Sequence, residues 1–173
     1  MNRIVPHISV LTMNVNGLDA PLKKYGIAEW IENNQPNICC PQETHLTHKD
    51  SNKLKGQGWK KIIHAKRNEK QAGIAILIWD KTDFKATIVR KGKEGHYILM
   101  KGLVQWEDIT ILNTYAPNTG APRFIKQLLP DSKNEIDSNS MVVGDFNTPN
   151  RQIIKTECQQ RNGGLKLYPR TNG

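Results

Sequence analysis

Four stretches of the sequence place polar side chains directly after an apolar run. Each apolar run predicts a buried strand, so the polar residues are expected where the strands end. Because the ends of neighbouring strands can meet at one rim of an α/β protein, where ligands commonly bind, these residues could form one site. They are Asn14 and Asn16 in MNVNG, Gln42 and Glu43 in CCPQETH, Asn113, Tyr115 and Asn118 in LNTYAPN, and Asp145 and Asn147 in MVVGDFN.

This set of side chains suits the cleavage of phosphodiesters. A hard divalent cation such as Mg²⁺ takes oxygen ligands, usually one or two carboxylates with water and phosphate completing its shell. Glu43 can supply the carboxylate, and Asn14 an amide oxygen or a hydrogen bond to metal-bound water. Asp145 could orient or deprotonate the attacking water, while Asn147 and Tyr115 could donate hydrogen bonds to phosphate oxygens. Each residue alone also fits an ordinary structural role, so their joint occurrence at successive strand ends is what favours catalysis.

The chain carries a large excess of positive charge. Its 173 residues, the length of one domain, include 25 Lys and Arg against 16 Asp and Glu, which gives a net charge of +9. Such an excess predicts a polyanionic partner, DNA in preference to a membrane, although a basic protein without such a partner is the alternative. The candidate nucleic-acid-binding residues, which would otherwise form a solvated turn, are Lys60, Lys61, Lys66, Arg67 and Lys70.

Other features of the sequence indicate an intracellular protein. Neither a signal peptide nor an apolar stretch long enough to cross a bilayer is visible, and we expect a location in the nucleus, the cytoplasm or both. The three cysteines suit a reducing compartment, and the adjacent Cys39 and Cys40 are expected to be small core residues.

The order of the predicted elements favours an α/β fold. A strand at residues 8–15, a helix from Pro21 and a strand at NICC predict a βαβ opening with a parallel strand pair. Five strand-like runs follow, and the turns KRNEKQAG, DKTD, KGKEG and QWED are expected to join neighbouring antiparallel strands. A short helix at APRFIKQLL and a strand at MVVGDFN complete an α/β sandwich whose helices cover stacked sheets.

The motifs MNVNG, QETH, NTYAPN and GDFN resemble the successive motifs of the exonuclease–endonuclease–phosphatase superfamily. Residues 7–149 are similar in particular to the endonuclease domain of the mammalian LINE retrotransposon polyprotein, encoded in its second open reading frame. The resemblance implies a four-layer α/β/β/α sandwich and Mg²⁺-dependent cleavage of DNA, and Mn²⁺ is expected to substitute for Mg²⁺. The residue roles that it implies are metal binding by Glu43 with Asn14, contacts near the scissile phosphate by Tyr115 and Asn118, and action on the attacking water and phosphate by Asp145 and Asn147.

The sequence departs from the family pattern in two respects. Pro41 stands where the family has an apolar residue, and because proline lacks an N–H and is awkward in a central strand, Glu43 is expected to be slightly displaced. The family's later strand-end aspartate and its terminal Ser-Asp-His cluster are missing, so we expect a fold that is incomplete at the C-terminus. The expected domain is 1–149, about two thirds of the family domain, followed by an unstructured, frame-shifted tail at 150–173.

These departures predict a weakly active or inactive endonuclease. Loss of one member of a concerted catalytic unit typically costs orders of magnitude in rate. The histidines before GDFN are expected to be surface or core residues rather than replacement catalysts. The alternatives are a non-catalytic DNA-binding remnant and the non-functional product of a translated retrotransposon pseudogene. No oligomer is expected, although exposed strand edges would favour self-association.

Overall fold

The described part of the chain forms eight strands in two sheets. The structure is a computed structural model, which describes residues 8–15, 29, 31–66, 68, 73–104, 106–116, 123–124, 127–128 and 134–145. Short helical pieces are seen at 31–34, 123–124 and 127–128. The elements with full bounds are β1 (Val10–Asn14), β2 (Ile38–Gln42), α1 (His48–Gly56), β3 (Trp59–Ala65), β4 (Ile74–Trp79), β5 (Phe84–Lys91), β6 (Tyr97–Val104), β7 (Glu107–Tyr115) and β8 (Ser140–Asp145).

Each sheet has four strands and contains one parallel pair. In the first sheet the order is β1-β2-β4-β3, and in the second it is β5-β6-β7-β8. The parallel alignment of β1 with β2 confirms the strand pair of the predicted βαβ opening. Strands β7 and β8 are also parallel and end together, with Tyr115 opposite Asp145. Two strands of each sheet therefore finish side by side.

One predicted turn is wrong. Three of the four proposed turns join antiparallel neighbours, namely β3 to β4, β5 to β6 and β6 to β7. The turn DKTD instead carries the chain from the first sheet to the second, because β4 and β5 lie in different sheets. Thr82 in this turn is buried and hydrogen-bonded to Asn37, and the next apolar residue, Phe84, enters the core between the sheets. Local turn chemistry alone does not reveal such a crossing.

Apolar side chains fill three layers of packing. The sheets face each other across a core rich in Ile, Val and Met. The other face of the first sheet packs against Ile31, Leu46 and Leu54, and the other face of the second sheet packs against Phe124 and Leu128. Helical segments therefore cover both stacked sheets, which confirms the predicted four-layer α/β/β/α sandwich.

The centre of β2 is buried on both of its faces. Cys39 packs on the helical side and Cys40 between the sheets, which confirms that both are core residues. Burial raises the pKa of the Cys39 thiol to about 12. Burial, and to a smaller extent the charge of the neighbouring Cys39, raises the pKa of the Cys40 thiol well above its ordinary value. Both thiols therefore stay protonated at neutral pH.

Helix α1 follows the QETH motif and has a well-formed start. The Thr47 hydroxyl accepts a hydrogen bond from the Asp50 N–H, and the Asp50 carboxylate accepts one from the Thr47 N–H. This reciprocal capping box satisfies two backbone donors that the helix itself cannot. In the described parts of the chain, no helix has the length and apolar character needed to cross a membrane.

Three predictions fall wholly or partly outside the described residues. The helix predicted at APRFIKQLL is described only at 123–124 and 127–128, which are helical. The predicted helix from Pro21 is described only near its end, where residues 31–34 are helical and Ile31 is buried. The proposed tail at 150–173 lies entirely outside them, so the domain boundary at 149 stays a prediction.

Candidate functional site

Four strands present polar residues at their last inward-facing positions. Successive side chains of a strand alternate between its two faces, so every second residue faces the other sheet. The first inward positions of these strands are apolar, for example Val10 in β1 and Ile38 in β2. Polar residues already stand one inward position before the last in two of them, Thr12 in β1 and Asn113 in β7. The alternation then reaches Asn14 in β1, Gln42 in β2, Tyr115 in β7 and Asp145 in β8. We call this edge of the sandwich the polar rim and define it by those four residues.

A hydrogen bond joins the two sheets at the polar rim. The Asn14 Nδ2 donates to the Asp145 Oδ2 over 2.8 Å, although the two residues are 131 positions apart in sequence. A carboxylate can only accept hydrogen bonds, so the amide nitrogen of Asn14 must face it. The amide oxygen Oδ1 of Asn14 is then the atom suited to a cation or to a water proton. The structure thus brings together two of the residues predicted to form the site.

Tyr115 and Asp145 are held side by side by the parallel pairing of β7 and β8. They are register partners, and the Ala116 N–H donates to the Asp145 carbonyl oxygen over 2.8 Å. Gly144, just before Asp145, has a φ of 141°, and a Cβ at that position would lie 1.8 Å from the Thr114 carbonyl oxygen. Only glycine fits so close to β7 at this φ. The glycine of GDFN therefore lets β8 approach β7 beside the two candidate residues.

Glu43 leaves the strand alternation. An extended backbone would put this side chain on the face opposite to Gln42. Glu43 instead has a φ of 54°, in the left-handed region that non-glycine residues rarely occupy. The next residue, Thr44, donates its N–H to the Gly73 carbonyl oxygen over 2.9 Å, which holds the departing chain beside β4. Gln35 and Trp106 also have a positive φ, so this backbone conformation does not by itself mark Glu43 as a site residue, and its metal-binding role stays a prediction.

Gln42, the buried member of the polar rim, is hydrogen-bonded to a second buried amide, Asn113. Gln42 and Asn113 are 1% and 0% exposed, and the Gln42 Nε2 donates to the Asn113 Oδ1 over 2.9 Å. The same Nε2 contacts the Thr12 Oγ1 at 3.0 Å and the Cys40 carbonyl oxygen at 2.6 Å. The sequence marked Gln42 and Asn113 as polar strand ends but gave them no role. The hydrogen bond by which they join β2 to β7 cannot be predicted without knowing that the two strands face each other.

The oxygen donors near the rim fit a hard divalent cation. Among the described residues, no group of three His, Cys, Asp or Glu side chains is close enough to hold a metal ion. A site formed by Glu43 and the Asn14 amide oxygen would therefore offer one carboxylate and one neutral oxygen. That donor set matches the preference of Mg²⁺, which keeps several waters and binds substrate phosphate as well. The absence of nitrogen and sulfur donors from this set disfavours softer metals.

His96 packs against Tyr115 at the same edge. The two rings are stacked with centroids 6.1 Å apart, and the His96 Nδ1 lies 3.0 Å from the Tyr115 carbonyl oxygen. A carbonyl oxygen can only accept, so Nδ1 carries a proton in this contact. The Tyr115 N–H in turn donates to the His96 carbonyl oxygen over 2.8 Å. His96 is thus a half-buried partner of Tyr115.

The predicted basic residues lie at two different levels of the first sheet. Lys60 and Lys61 are exposed near the start of β3, at the end of the sheet away from the rim. Lys66 follows the end of β3 at the rim level, where its Nζ donates to the Leu46 carbonyl oxygen over 3.3 Å. At about 3.3 Å per residue, Lys61 and Lys66 are roughly 17 Å apart along the strand. Of the three, only Lys66 is at the level of the polar rim.

Four predicted site residues cannot be placed. The remaining candidates for phosphate and nucleic-acid contacts lie outside the described residues, and they are Arg67, Lys70, Asn118 and Asn147.

Solved structures share this fold at low sequence identity. TDP2 from D. rerio, complexed with a single-stranded DNA product, has a TM-score of 0.62 at 12% identity, over 82% of this chain and 61% of its own. The human Nocturnin catalytic domain with a bound sulfate anion has a TM-score of 0.58 at 17% identity, over 80% of this chain and 63% of its own. ANGEL2, a 2′,3′-cyclic phosphatase, has a TM-score of 0.60 at 14% identity, over 80% of this chain and 53% of its own. The chain spans less than two thirds of the length of each of these proteins.

A family-level match accompanies the shared fold. The sequence profile of the endonuclease/exonuclease/phosphatase family matches residues 11–163, most of the chain. The matched range includes β2, β7 and β8 and all but the first residue of β1, the four strands that end at the polar rim. Enzymes of this family generally use divalent metal ions, which accords with the oxygen donors of Glu43 and Asn14. On the evidence of its fold, its rim and this match, the chain belongs to the endonuclease/exonuclease/phosphatase family.

Proposed function

We propose that the chain is a Mg²⁺-dependent DNA endonuclease of the LINE retrotransposon type, which hydrolyses phosphodiester bonds. The observation that carries the proposal is the 2.8 Å hydrogen bond between Asn14 and Asp145. It joins the ends of two sheets at the rim where Tyr115 also lies and beside which Glu43 follows β2. Phosphodiesterase- or nuclease-type hydrolysis is the chemistry of the family to which the chain belongs.

The proposed roles follow from the donors and acceptors at the rim. Glu43 and the Asn14 amide oxygen would hold the cation, which when bound polarises the phosphate and makes a bound water more acidic. Asp145 would accept a proton from the attacking water, and its bond from Asn14 keeps one carboxylate oxygen oriented. The Tyr115 hydroxyl would donate a hydrogen bond to a phosphate oxygen as negative charge develops there. Attack of that water oxygen on phosphorus would break the P–O3′ bond, and the departing O3′ would take a proton from solvent, which leaves a 3′-hydroxyl and a 5′-phosphate.

DNA is the proposed substrate because of the charge of the chain and the motif resemblance. The net charge of +9 favours a polyanion, and phosphate contacts supply most of the sequence-independent affinity for DNA. The TDP2 relative from D. rerio is complexed with a single-stranded DNA product. The LINE assignment rests on the motifs QETH, NTYAPN and GDFN and on the wider similarity of residues 7–149.

Cleavage by this 173-residue chain alone is expected to be slow. The resemblance implies a histidine within a Ser-Asp-His motif, and that tripeptide does not occur in the sequence. His96 is tied to the backbone of Tyr115 through Nδ1, which accords with a structural role. Removal of one member of a concerted catalytic unit commonly lowers kcat by several orders of magnitude.

The test is the Mg²⁺-dependent nicking of supercoiled plasmid by the full chain. We expect Glu43→Gln and Asp145→Asn each to reduce the nicking rate at least tenfold, since each removes a charge that the proposed chemistry uses. The matched controls Glu107→Gln and Asp80→Asn alter exposed carboxylates away from the rim and are expected to leave the rate unchanged. Equal rates in all five proteins would overturn the proposal.

DNA binding without cleavage is the second candidate. The observation that favours it is the net charge of +9 together with exposed Lys60 and Lys61, which do not depend on the polar rim. Such binding would be indifferent to sequence, to Mg²⁺ and to the Glu43→Gln change, and it would weaken steeply with salt. A fluorescence-anisotropy titration between about 50 and about 200 mM salt, run with wild type and Glu43→Gln, separates it from a catalytic complex.

A further inference from the structure

Strand β2 contains a proline in the middle of a sheet. Strand order places β2 between β1 and β4, so both edges of β2 are hydrogen-bonded. Its pairing with β4 is interrupted after Cys39 and resumes at Gln42, opposite Ile74. The register is the same on both sides of the gap, so Pro41 does not shift the strand as a whole. The effect of the proline is confined to the hydrogen bonds of the gap.

The missing hydrogen bond can be identified from the pairing pattern. The Trp79 N–H donates to the Asn37 carbonyl oxygen, and hydrogen-bonded pairs recur at every second residue of an antiparallel ladder. Residue 41 is therefore a position whose N–H would donate to the Ala75 carbonyl oxygen. Proline has no N–H, and Ala75 is fully buried, so no solvent can replace the donor.

Asn113 of the opposite sheet supplies that donor. Its Nδ2 lies 2.8 Å from the Ala75 carbonyl oxygen and 3.4 Å from the Pro41 carbonyl oxygen. Because both partners are carbonyl oxygens, which only accept, the nitrogen of the amide must face them. The Asn113 oxygen then faces the other way and accepts the hydrogen bond from the Gln42 Nε2 over 2.9 Å. One side chain thus repairs the gap in the ladder and holds the residue that follows the proline.

We propose that Asn113 is a positioning residue for Glu43. Its amide replaces the backbone donor absent at Pro41 and clamps Gln42, so that β2 ends in a fixed place and Glu43 can adopt its left-handed backbone. The proposal rests on the proposed function in one respect, since it takes Glu43 to be a metal ligand. Asn113 itself is fully buried and is not at the polar rim, so it acts through Gln42.

The first experiment tests the contact in the wild-type protein. In an isotope-labelled full chain, NMR is expected to detect scalar coupling through the hydrogen bond between the Asn113 side-chain nitrogen and the Ala75 carbonyl carbon. The two Asn113 side-chain protons are also expected to exchange slowly with solvent, unlike those of the exposed Asn139. Rapid exchange and no coupling would overturn the proposal whether or not any variant folds.

The second experiment uses Pro41→Val to restore the missing N–H. Asn113→Leu alone removes the donor to Ala75, and we expect the affinity for Mn²⁺, followed by electron paramagnetic resonance, to fall about tenfold. In Pro41→Val/Asn113→Leu the residue-41 N–H can again bond to Ala75, while the acceptor for Gln42 stays absent, so part of that loss is expected to be recovered. If Asn113→Leu weakened Mn²⁺ binding only by disturbing the packing around residue 113, a substitution at Pro41 on the other sheet would not restore the binding. Equal losses in the single and double variants would contradict the proposal.

A third variant separates this inference from the proposed function. Glu43→Gln is expected to weaken Mn²⁺ binding by more than tenfold, with the Asn113 coupling unchanged. If Glu43→Gln binds Mn²⁺ like wild type, the proposed metal role of Glu43 fails. If Glu43→Gln loses binding and Asn113→Leu retains it, the positioning role of Asn113 fails and the proposed function stands.

Discussion

The space between the two sheets has an apolar end and a polar end. The far end, which we define by Ile38, Ile78, Phe84, Val104 and Ile109, is filled by buried apolar side chains. At the polar rim, the inward-facing positions at the other ends of the strands are occupied by amides, a tyrosine and a carboxylate. At both ends, every second residue of a strand faces the space between the sheets. The backbone arrangement is therefore the same, and the change from apolar to polar residues creates the candidate site.

The two ends are held together by different physical effects. Each large apolar side chain at the far end contributes about 1.5–3 kcal/mol by leaving water. A buried hydrogen bond contributes only about 1 kcal/mol net, and its main effect is to avoid the cost of an unsatisfied group. The far end therefore stabilises the sandwich, while the hydrogen bonds of the rim fix directions that a binding site needs.

The largest expected effect on stability comes from a substitution at the far end. Ile78→Ala removes buried methyl groups from the inter-sheet core, and we expect it to lower the free energy of unfolding by about 3–4 kcal/mol. The measurement is chemical denaturation followed by circular dichroism. Val89→Ala, at a residue 39% exposed, is the control and is expected to change stability by less than about 0.5 kcal/mol. Similar losses in both variants would mean that the far end is not the stabilising core.

Gly144→Ala tests whether the rim also has a strict backbone requirement. The new Cβ would overlap the Thr114 carbonyl oxygen at a φ of 141°, and we expect a loss of about 3 kcal/mol by the same denaturation measurement. Gly56→Ala is the matched control, because a Cβ there meets nothing within 4 Å. A Gly144→Ala protein as stable as Gly56→Ala would refute the close approach of β8 to β7.

Cys39 lies at the centre of β2, between the far end and the polar rim, and its burial can be tested through the pH dependence of stability. The folded pKa of Cys39 is about 12 against an ordinary value of 9.0, so below pH 9 the thiol is protonated in both the folded and unfolded states. Between pH 9 and 12 the unfolded chain loses this proton while the folded chain keeps it. Stability therefore falls as pH rises, by about 1.4 kcal/mol per unit from this one thiol.

The measurement for this pH effect is denaturation at several pH values between about 8 and about 11. Cys39→Ala is expected to show a shallower fall than wild type, by the contribution of the one thiol. Parallel curves for the two proteins would indicate that Cys39 is not buried in the folded state.

The smallest expected effect concerns DNA binding by lysines at the two ends. If DNA lies across the rim, Lys66→Gln should weaken binding several-fold and reduce the slope of log affinity against log salt by about 1. Lys60→Gln and Lys61→Gln, roughly 17–20 Å away along β3, should change affinity less than Lys66→Gln. The reverse order in anisotropy titrations would place the bound DNA on the far end.

Much of the fold could be predicted from local patterns. Strand β5 occupies the range of the run FKATIVRK, and the parallel β1–β2 pair follows from a strand–helix–strand order. The prediction for the turn DKTD is wrong because its residues specify a reversal but not which sheet receives the next strand. No helix was predicted over His48–Gly56, where few apolar residues occur, although the spacing of Thr47 and Asp50 was a usable capping signal.

Two strand ends of the candidate site could be predicted from the sequence, but the contact between them could not. Apolar runs ending in Asn14 and Asp145 mark strand ends, whereas their hydrogen bond depends on two sheets facing each other across 131 residues of sequence. The expectation that Pro41 slightly displaces Glu43 stays a prediction, since the pairing of β2 is described only as far as Gln42. In the structure β2 keeps its register past the proline, and the compensating donor, Asn113, comes from the second sheet. Such tertiary compensation has no local sequence signal.

The most direct test of the account is to map Mn²⁺ on the labelled full chain by NMR. The central claim is that strand ends of both sheets form one metal-binding rim. It predicts that substoichiometric Mn²⁺ broadens the resonances of Asn14 and Glu43 from the first sheet together with those of Tyr115 and Asp145 from the second, and that Glu43→Gln abolishes the effect. Broadening confined to one sheet, or centred on the far end near Ile38 and Ile78, would contradict the claim.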